Sequence, residues 1–225
     1  MRSLKINTTV LVIVTGIAFA NVSCTNETNT RTTDAYTIFD DRSFLSGFPA
    51  INHDGSINVV VEIPAGTIAK WEVTKPSGVL EWELNGNTRR QIQYLGLPGN
   101  YGMIPSTLQP THLGGDGDPL DALILGPAAA RGEIVKVKLI GVLKMLDGGE
   151  EDHKLLAVSA DSPMYTVSSM LELRQRYVGV ADIVKIWFAN YKGRDKIEIL
   201  GFGEHTEAQQ ILDLAINAFS SDTLQ

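Results

Sequence analysis

The sequence is poor in the residues that form disulfides and soft-metal sites. Cys24 is the only cysteine among 225 residues, so no internal disulfide can form. The histidines show no pair at metal-binding spacing; they are His53, His112, His153 and His205. Zinc would require such His or Cys ligands. The chain also lacks P-loop, Rossmann and kinase signatures, so a nucleotide is not the obvious substrate.

Positive charge and long apolar runs are also scarce. The formal net charge is -7 at pH 7. Arg2 and Lys5 lie in an N-terminal stretch without acids, so the remainder is more negative and a poor general partner for nucleic acid. The apolar stretch from about Val10 to Ala20 is short for a membrane span. A hydrophobic content of 44% still supports one sizeable globular core.

Residues 1–23 have the layout of an export signal, with a basic start, an apolar stretch and small residues before a cysteine. Two cleavage positions remain open: after Ala20, or before Cys24 as in bacterial lipoproteins, with a lipid anchor on this cysteine. We favour the second, and therefore an exported, membrane-anchored protein of a bacterial envelope; the alternative is a cytoplasmic protein. We predict a polar tether at 24–40 and one domain at 41–221.

Alternating and β-branched apolar residues predict a series of strands. They cover 57–66, 69–75, 133–146, 153–160 and 196–203. Glu62 shares a strand face with Val60, which is unusual for a surface acid.

A first helix is predicted at 180–193. Its apolar stripe consists of Ile183, Trp187 and Tyr191, and Gly193 ends it.

A second helix is predicted at 205–219, with Thr206 and Gln209 spaced as a capping box. Its apolar face comprises Ala208, Ile211, Leu212, Ala215, Ile216 and Phe219. Strands followed by helices indicate an α+β fold, in which helices pack outside a small β-barrel or sheet.

The stretch "GDGDPLD" places Asp116, Asp118 and Asp121 close together on a glycine-containing loop. At about 5 Å and an effective dielectric of about 20, each charged pair costs roughly 3 kcal/mol. A cation is therefore expected, and hard carboxylate oxygens suit Mg²⁺ or Mn²⁺. The alternative is an ordinary Asp-Gly turn.

A second acidic group, Asp147 and Asp152, brackets a glycine turn, with Lys154 two residues further on. Taken alone, this segment could be an exposed hairpin turn. Side chains that can donate hydrogen bonds to phosphate oxygens occur elsewhere in the chain: Lys70, Arg89 or Arg90, Tyr101, Lys154, Tyr191 and Lys192. Many carboxylates together with several basic groups indicate a phosphoryl-transfer site.

The motifs "VEIPAG", "GNYGMIP", "GDGDPLDALIL", "GVLKMLDGGEEDHKLLAV" and "NYKG" occur in this order. Over about residues 55–203 the chain resembles the soluble family I inorganic pyrophosphatases. The resemblance implies a five-stranded OB-type barrel with flanking helices. It also implies Mg²⁺-dependent hydrolysis of inorganic diphosphate to two phosphates by metal-activated water, and a homo-oligomer.

The resemblance also implies roles for individual residues. Asp116, Asp121 and Asp152 would bind the activating metals, with Asp121 as the bridging ligand. Asp147 would hold a further metal with Glu62 beside it, and Asp118 would accept a proton from water. About three or four Mg²⁺ ions are expected, with Mn²⁺ as a substitute.

The same resemblance assigns phosphate binding to Lys70, one of Arg89 and Arg90, Tyr101, Lys154, Tyr191 and Lys192. Arg90 is favoured over Arg89, and Glu72 would be a supporting acid. Gly148 departs from the family, because many members have an acid there. Two alternative functions are a catalytically silent OB-type lipoprotein that binds anions, and a hydrolase of polyphosphate or nucleotides.

Overall fold

The computed structural model describes residues 32–110 and 115–222. The predicted export signal at 1–23, residues 24–31 of the predicted tether, and His112 lie outside the described residues. Within the two described ranges, no helix has both the length and the apolar character needed to cross a membrane.

The described chain is rich in strands, and its helices lie towards the C-terminal end. In chain order, the strands are β1 (Thr32–Thr33), β2 (Thr37–Phe39), β3 (Ile57–Ile63), β4 (Trp71–Val73), β5 (Leu80–Trp82), β6 (Leu84–Asn85), β7 (Thr88–Arg89), β8 (Asn100–Met103), β9 (Asp121–Leu125), β10 (Ile134–Asp147), β11 (Glu150–Glu151), β12 (Lys154–Ser159) and β13 (Ile197–Glu204). The helices are α1 (Met170–Arg176), α2 (Val180–Asn190) and α3 (His205–Asp222).

Five of these strands close into a barrel. β3 pairs with β8, β8 with β9, β9 with β12 and β12 with β10, and β10 returns to pair with β3. The β9–β12 pair is parallel, whereas the other four pairs are antiparallel. With 14 residues, β10 is long enough to pair with β13 as well. The predicted α+β class and five-stranded OB-type barrel are confirmed.

β10 passes very close to two neighbouring elements at Gly141. A Cβ atom at this position would lie 2.3 Å from Met170 Cγ in α1 and 2.6 Å from the carbonyl oxygen of Gly203 in β13. Glycine is therefore required there, because any side chain would force the strand and its neighbours apart.

β3 is buried on both faces. Val59 and Val61 share one apolar cluster with Leu212 of α3. Val60 points to the opposite face and belongs to the cluster that contains Trp71. Glu62 lies on the same face of the strand as Val60 and is only 5% exposed, so the barrel wall carries a buried acid.

The described part of the segment that the sequence assigns to a polar tether contains strands. Residues 37–39 form β2, which pairs with β5. Ile38 is buried in the cluster that contains Phe44 and Leu80. The tether prediction at 24–40 was therefore wrong for this part, because Ile38 finds an apolar cluster to join.

α2 confirms the first predicted helix but not its whole apolar stripe. Trp187 is buried, and the ring of Tyr191 stacks on it with centroids 4.8 Å apart. Ile183 is 60% exposed, so its assignment was wrong. Val184 takes the buried position at this turn instead. Gly193 follows the helix with a φ of +100°, as expected of a terminating glycine.

α3 begins at His205, directly after β13, so the predicted capping box was wrong. Thr206 lies inside the helix, and the Gln209 side chain donates to Asp213 Oδ1 at 2.8 Å. The predicted apolar face is confirmed by the buried residues Ala208, Leu212 and Ala215.

α1 was not predicted, although the sequence contains its N-terminal signal. Ser169 Oγ accepts a hydrogen bond from the Glu172 N–H at 3.1 Å. The Glu172 carboxylate in turn accepts from the Ser168 N–H at 2.8 Å. The Ser-x-x-Glu spacing from Ser169 to Glu172 is that of a capping box and could have located this helix.

Candidate active site

The site lies at one end of the barrel, where the directions of the strands bring distant residues together. Asp121 begins β9 and Lys154 begins β12, and these strands are parallel neighbours. β10 runs antiparallel to β12 and ends at Asp147, which therefore reaches the same end of the barrel. The two acidic segments thus meet in space.

A cleft of about 720 Å³ opens at this end of the barrel. The predicted site residues that line it are Lys70, Glu72, Arg90, Tyr101, Asp116, Asp121, Asp147, Asp152, Lys154, Tyr191 and Lys192. A cavity of about 380 Å³ shares several of these residues and is also lined by Glu62 and Asp118. Arg89 lines neither space, but it lines an adjoining cavity together with Arg90, Asp147, Tyr191 and Lys192.

Lys154 forms salt bridges with two aspartates inside the cleft. Its Nζ donates to Asp121 Oδ2 and to Asp152 Oδ1, and its side chain is only 4% exposed. Burial by itself lowers the pKa of Lys154, but the two carboxylates outweigh this effect and raise the pKa above its ordinary value. Burial, followed by the charge of Asp121, raises the pKa of the Tyr101 hydroxyl. Lys154 therefore stays charged and Tyr101 stays protonated.

The charge of Lys70 acts on the carboxyl groups of both Glu62 and Glu72. Glu62 Oε1 accepts a hydrogen bond from the Val73 N–H at 2.8 Å. Burial raises the pKa of Glu62 to about 8, although the charge of Lys70 opposes the shift. Burial also raises the pKa of Glu72, and Lys70 Nζ lies 4.0 Å from Glu72 Oε2. Lys70 therefore stabilises the ionised form of both acids.

The loop that carries Asp116 and Asp118 is held by its own backbone and by a lysine that sequence reasoning missed. The Asp118 N–H donates to Asp116 Oδ1 at 2.9 Å, with Gly117 at a φ of +78°. Lys75 Nζ forms an ion pair with Asp118 Oδ1 and donates to the Gly117 carbonyl at 2.8 Å. No sequence pattern links Lys75 to this loop.

The β10–β11 hairpin contributes Asp147 and further acids. Asp147 Oδ2 forms an ion pair with Lys192 Nζ. Glu150 and Glu151, which were not predicted, also line the cleft. Glu150 lies directly opposite Asp147 in the strand register, across a two-glycine turn. The sequence "DGGE" is a two-residue hairpin signal and could have identified this position.

The consecutive arginines have different surroundings. Arg89 Nη1 donates to the Trp82 carbonyl at 2.8 Å, and the guanidinium lies 4.1 Å from the Tyr36 ring centroid. Arg90 lines the main cleft, and its Nη1 bonds Glu83 Oε1 at 2.5 Å. Arg90 therefore lines the main cleft and Arg89 only the adjoining cavity, and the preference for Arg90 as the phosphate-binding arginine stays a prediction.

The donor set of the cleft suits a hard divalent cation. No group of three or more His, Cys, Asp or Glu side chains within 32–110 and 115–222 is arranged to hold a metal ion. The carboxylates instead pair with lysines, as in the bridge from Lys154 to Asp121 and Asp152. Clustered carboxylate oxygens are nevertheless the ligands that Mg²⁺ prefers. Mg²⁺ fits here if the carboxylates exchange their lysine partners for the cation.

The barrel is of the OB type, and its cleft combines the carboxylates and basic side chains that are typical of phosphoryl-transfer sites. In overall structure, the chain is similar to the N-terminally truncated vacuolar soluble pyrophosphatase of Trypanosoma cruzi, whose crystal structure is a complex with PPi. The TM-score is 0.82 at 19% identity, and the alignment covers 97% of this chain and 99% of that chain. This similarity shows the fold.

A family model described as inorganic pyrophosphatase matches residues 59–220. The chain therefore belongs to the inorganic pyrophosphatase family, as its motifs predict. It is 34% identical over 174 residues to the inorganic pyrophosphatase of Helicobacter pylori strain J99. That alignment covers 75% of this chain and 95% of the relative. It is 38% identical over 155 residues to soluble inorganic pyrophosphatase 1, chloroplastic, of Chlamydomonas reinhardtii, and spans 55% of that relative.

Proposed function

We propose that this protein hydrolyses inorganic diphosphate to two phosphates with Mg²⁺ as its cofactor. The observation that carries the proposal is the meeting of two acidic segments and several basic side chains in one cleft, in a chain of the inorganic pyrophosphatase family. Family membership favours this function over a silent anion-binding module and over a broader polyphosphate or nucleotide hydrolase.

Asp116, Asp121 and Asp152 would hold the activating Mg²⁺ ions, with Asp121 shared between two of them. Asp147 would hold a further ion with Glu62 as an acid beside it, and Mn²⁺ is expected to substitute. Divalent cations held there supply Lewis-acid chemistry, because they lower the pKa of water and neutralise phosphate charge.

Asp118 would accept the proton of the attacking water. It is half exposed and lines the smaller cavity beside the carboxylates. Attack on phosphorus is direct, without a covalent enzyme intermediate. The residues proposed to bind phosphate oxygens and stabilise the charge of the leaving phosphate are Lys70, Arg90, Tyr101, Lys154, Tyr191 and Lys192.

Phosphate release from diphosphate in the presence of Mg²⁺ tests this function. We expect the wild-type protein to release phosphate and Asp118→Asn to lose about 100-fold or more in kcat, because general-base catalysis typically contributes this much. Asp54→Asn is a matched control, since Asp54 is exposed on a turn outside the cleft. Wild-type activity in Asp118→Asn would contradict the assigned role of Asp118.

We also propose that the protein is exported and anchored by a lipid on Cys24, and that it forms a homo-oligomer. Support for the anchor comes from the sequence of residues 1–23 and the single cysteine that follows. Cell fractionation with lipid labelling should find wild type labelled in the membrane and Cys24→Ala unlabelled. Unlabelled wild type in the cytosol would contradict the anchor, and a monomer in sedimentation velocity would contradict the oligomer.

A further inference from the structure

Backbone hydrogen bonds hold Lys70, Glu83 and Arg90 side by side next to the cleft. The Lys70 N–H donates to the Arg90 carbonyl at 3.1 Å, and the Arg90 N–H donates to the Glu83 carbonyl at 2.9 Å. The Glu83 N–H donates to the Lys70 carbonyl at 3.0 Å, which closes the cycle. Lys70 and Arg90 line the cleft, whereas Glu83 is not among its lining residues.

The side chain of Glu83 is committed to Arg90. Glu83 Oε1 accepts a hydrogen bond from Arg90 Nη1 at 2.5 Å, and the Glu83 side chain is 20% exposed. Its second oxygen, Oε2, is buried and has no hydrogen-bond partner among the described residues. A buried carboxylate oxygen without a donor lowers stability. A stabilising role alone therefore explains this pair poorly.

We propose that Glu83 is a positioning residue, which orients the guanidinium of Arg90 towards the diphosphate. The proposal rests on the proposed function. A guanidinium carries five N–H donors in a rigid fork, so one bond to Glu83 leaves the others available for phosphate oxygens. Without Glu83, the long Arg90 side chain would occupy several rotamers, and substrate binding would have to order it.

Steady-state kinetics with Mg²⁺ and diphosphate test this role in Glu83→Gln, Glu83→Ala, Arg90→Ala and the double variant Glu83→Ala/Arg90→Ala. We expect Glu83→Ala to raise KM about tenfold while kcat changes less, since binding must then immobilise a mobile side chain. Glu83→Gln keeps an acceptor oxygen and should have a smaller effect. In the Arg90→Ala background, Glu83→Ala should raise KM no further, because the two residues act as a unit.

Glu81→Gln is the matched control, because Glu81 is an exposed acid two residues away on β5. Its KM should equal that of wild type. A wild-type KM in Glu83→Ala, or KM increases that add in the double variant, would overturn the proposal. So would a Glu83→Ala protein with a lower melting temperature and an unchanged KM, since that is the result of a purely structural role. Failure of the proposed function looks different, because wild type itself would then release no phosphate.

Discussion

Replacement of Lys154 by methionine would show whether this lysine substitutes for a cation in the metal-free protein. Lys154 is almost fully buried between Asp121 and Asp152. Methionine keeps most of the side-chain volume but removes the charge, so the two carboxylates would face each other without a partner. We expect the metal-free variant to fold with reduced stability, and Mg²⁺ to restore most of the loss.

The size of the effect follows from the burial of the three groups. Removal of one partner of a buried ion pair typically lowers the free energy of unfolding by about 3–5 kcal/mol. The side chains of Asp121 and Asp152 are 22% and 21% exposed, so water relieves part of the penalty and about 3 kcal/mol is expected. For a chain of 225 residues, this corresponds to a fall in melting temperature of about 6–12 °C.

Differential scanning calorimetry in EDTA and in millimolar Mg²⁺ measures both parts of the prediction. The control is Lys144→Met, which removes a more exposed ion pair between Lys144 of β10 and Glu207 of α3. That change should cost at most about 1 kcal/mol, independently of Mg²⁺. If Lys154→Met lost the same stability with and without Mg²⁺, or lost none, the idea that Lys154 and Mg²⁺ compete for these carboxylates would be refuted.

Three further predictions concern the metal ligands, the buried acid and the barrel wall. Asp121→Ala should lose Mg²⁺ affinity in calorimetric titration together with activity, whereas Lys70→Ala should mainly raise KM; normal Mg²⁺ dependence in Asp121→Ala would exclude it as the bridging ligand. Because the folded protein raises the pKa of Glu62 from 4.5 to about 8, the native state binds this proton more tightly than the unfolded state. The free energy of unfolding of the metal-free protein should therefore fall as pH rises from 4.5 to 8. Glu62→Gln should reduce this fall when unfolding by urea is measured at several pH values; the same dependence on pH as in wild type would contradict the burial argument. Gly141→Ala should lower the free energy of unfolding by about 1–3 kcal/mol, because its Cβ would clash with Met170, and an unchanged urea midpoint would disprove this contact.

The features that could be predicted from the sequence are those encoded in short segments. The β-branched residues of β3 and β10 show the strand character of these segments without reference to the rest of the fold. The stretch from Asp116 to Asp121 likewise carries its charge repulsion within a few residues, so it indicates a cation on its own. The order of the motifs then identified the family.

Contacts between distant segments could not be read in this way. Lys75 and Asp118 form an ion pair, but they belong to different loops and nothing near either residue indicates the other. The same is true of Glu83, which backbone hydrogen bonds place next to Lys70 and Arg90 although nothing in its own segment indicates this position. Ile183 was misassigned for a related reason, since periodicity defines a stripe but packing decides which side of it is covered.

Because β9 and β12 pair in parallel, the end of the barrel that carries the cleft is sensitive to changes in strand alignment. Successive side chains of a strand point to opposite sides, so deleting one residue inside β12 would turn Lys154 away from Asp121 while leaving most of the backbone pairing intact. A one-residue change of length within β12 should therefore abolish the pairing of Lys154 with Asp121 even where the barrel still folds.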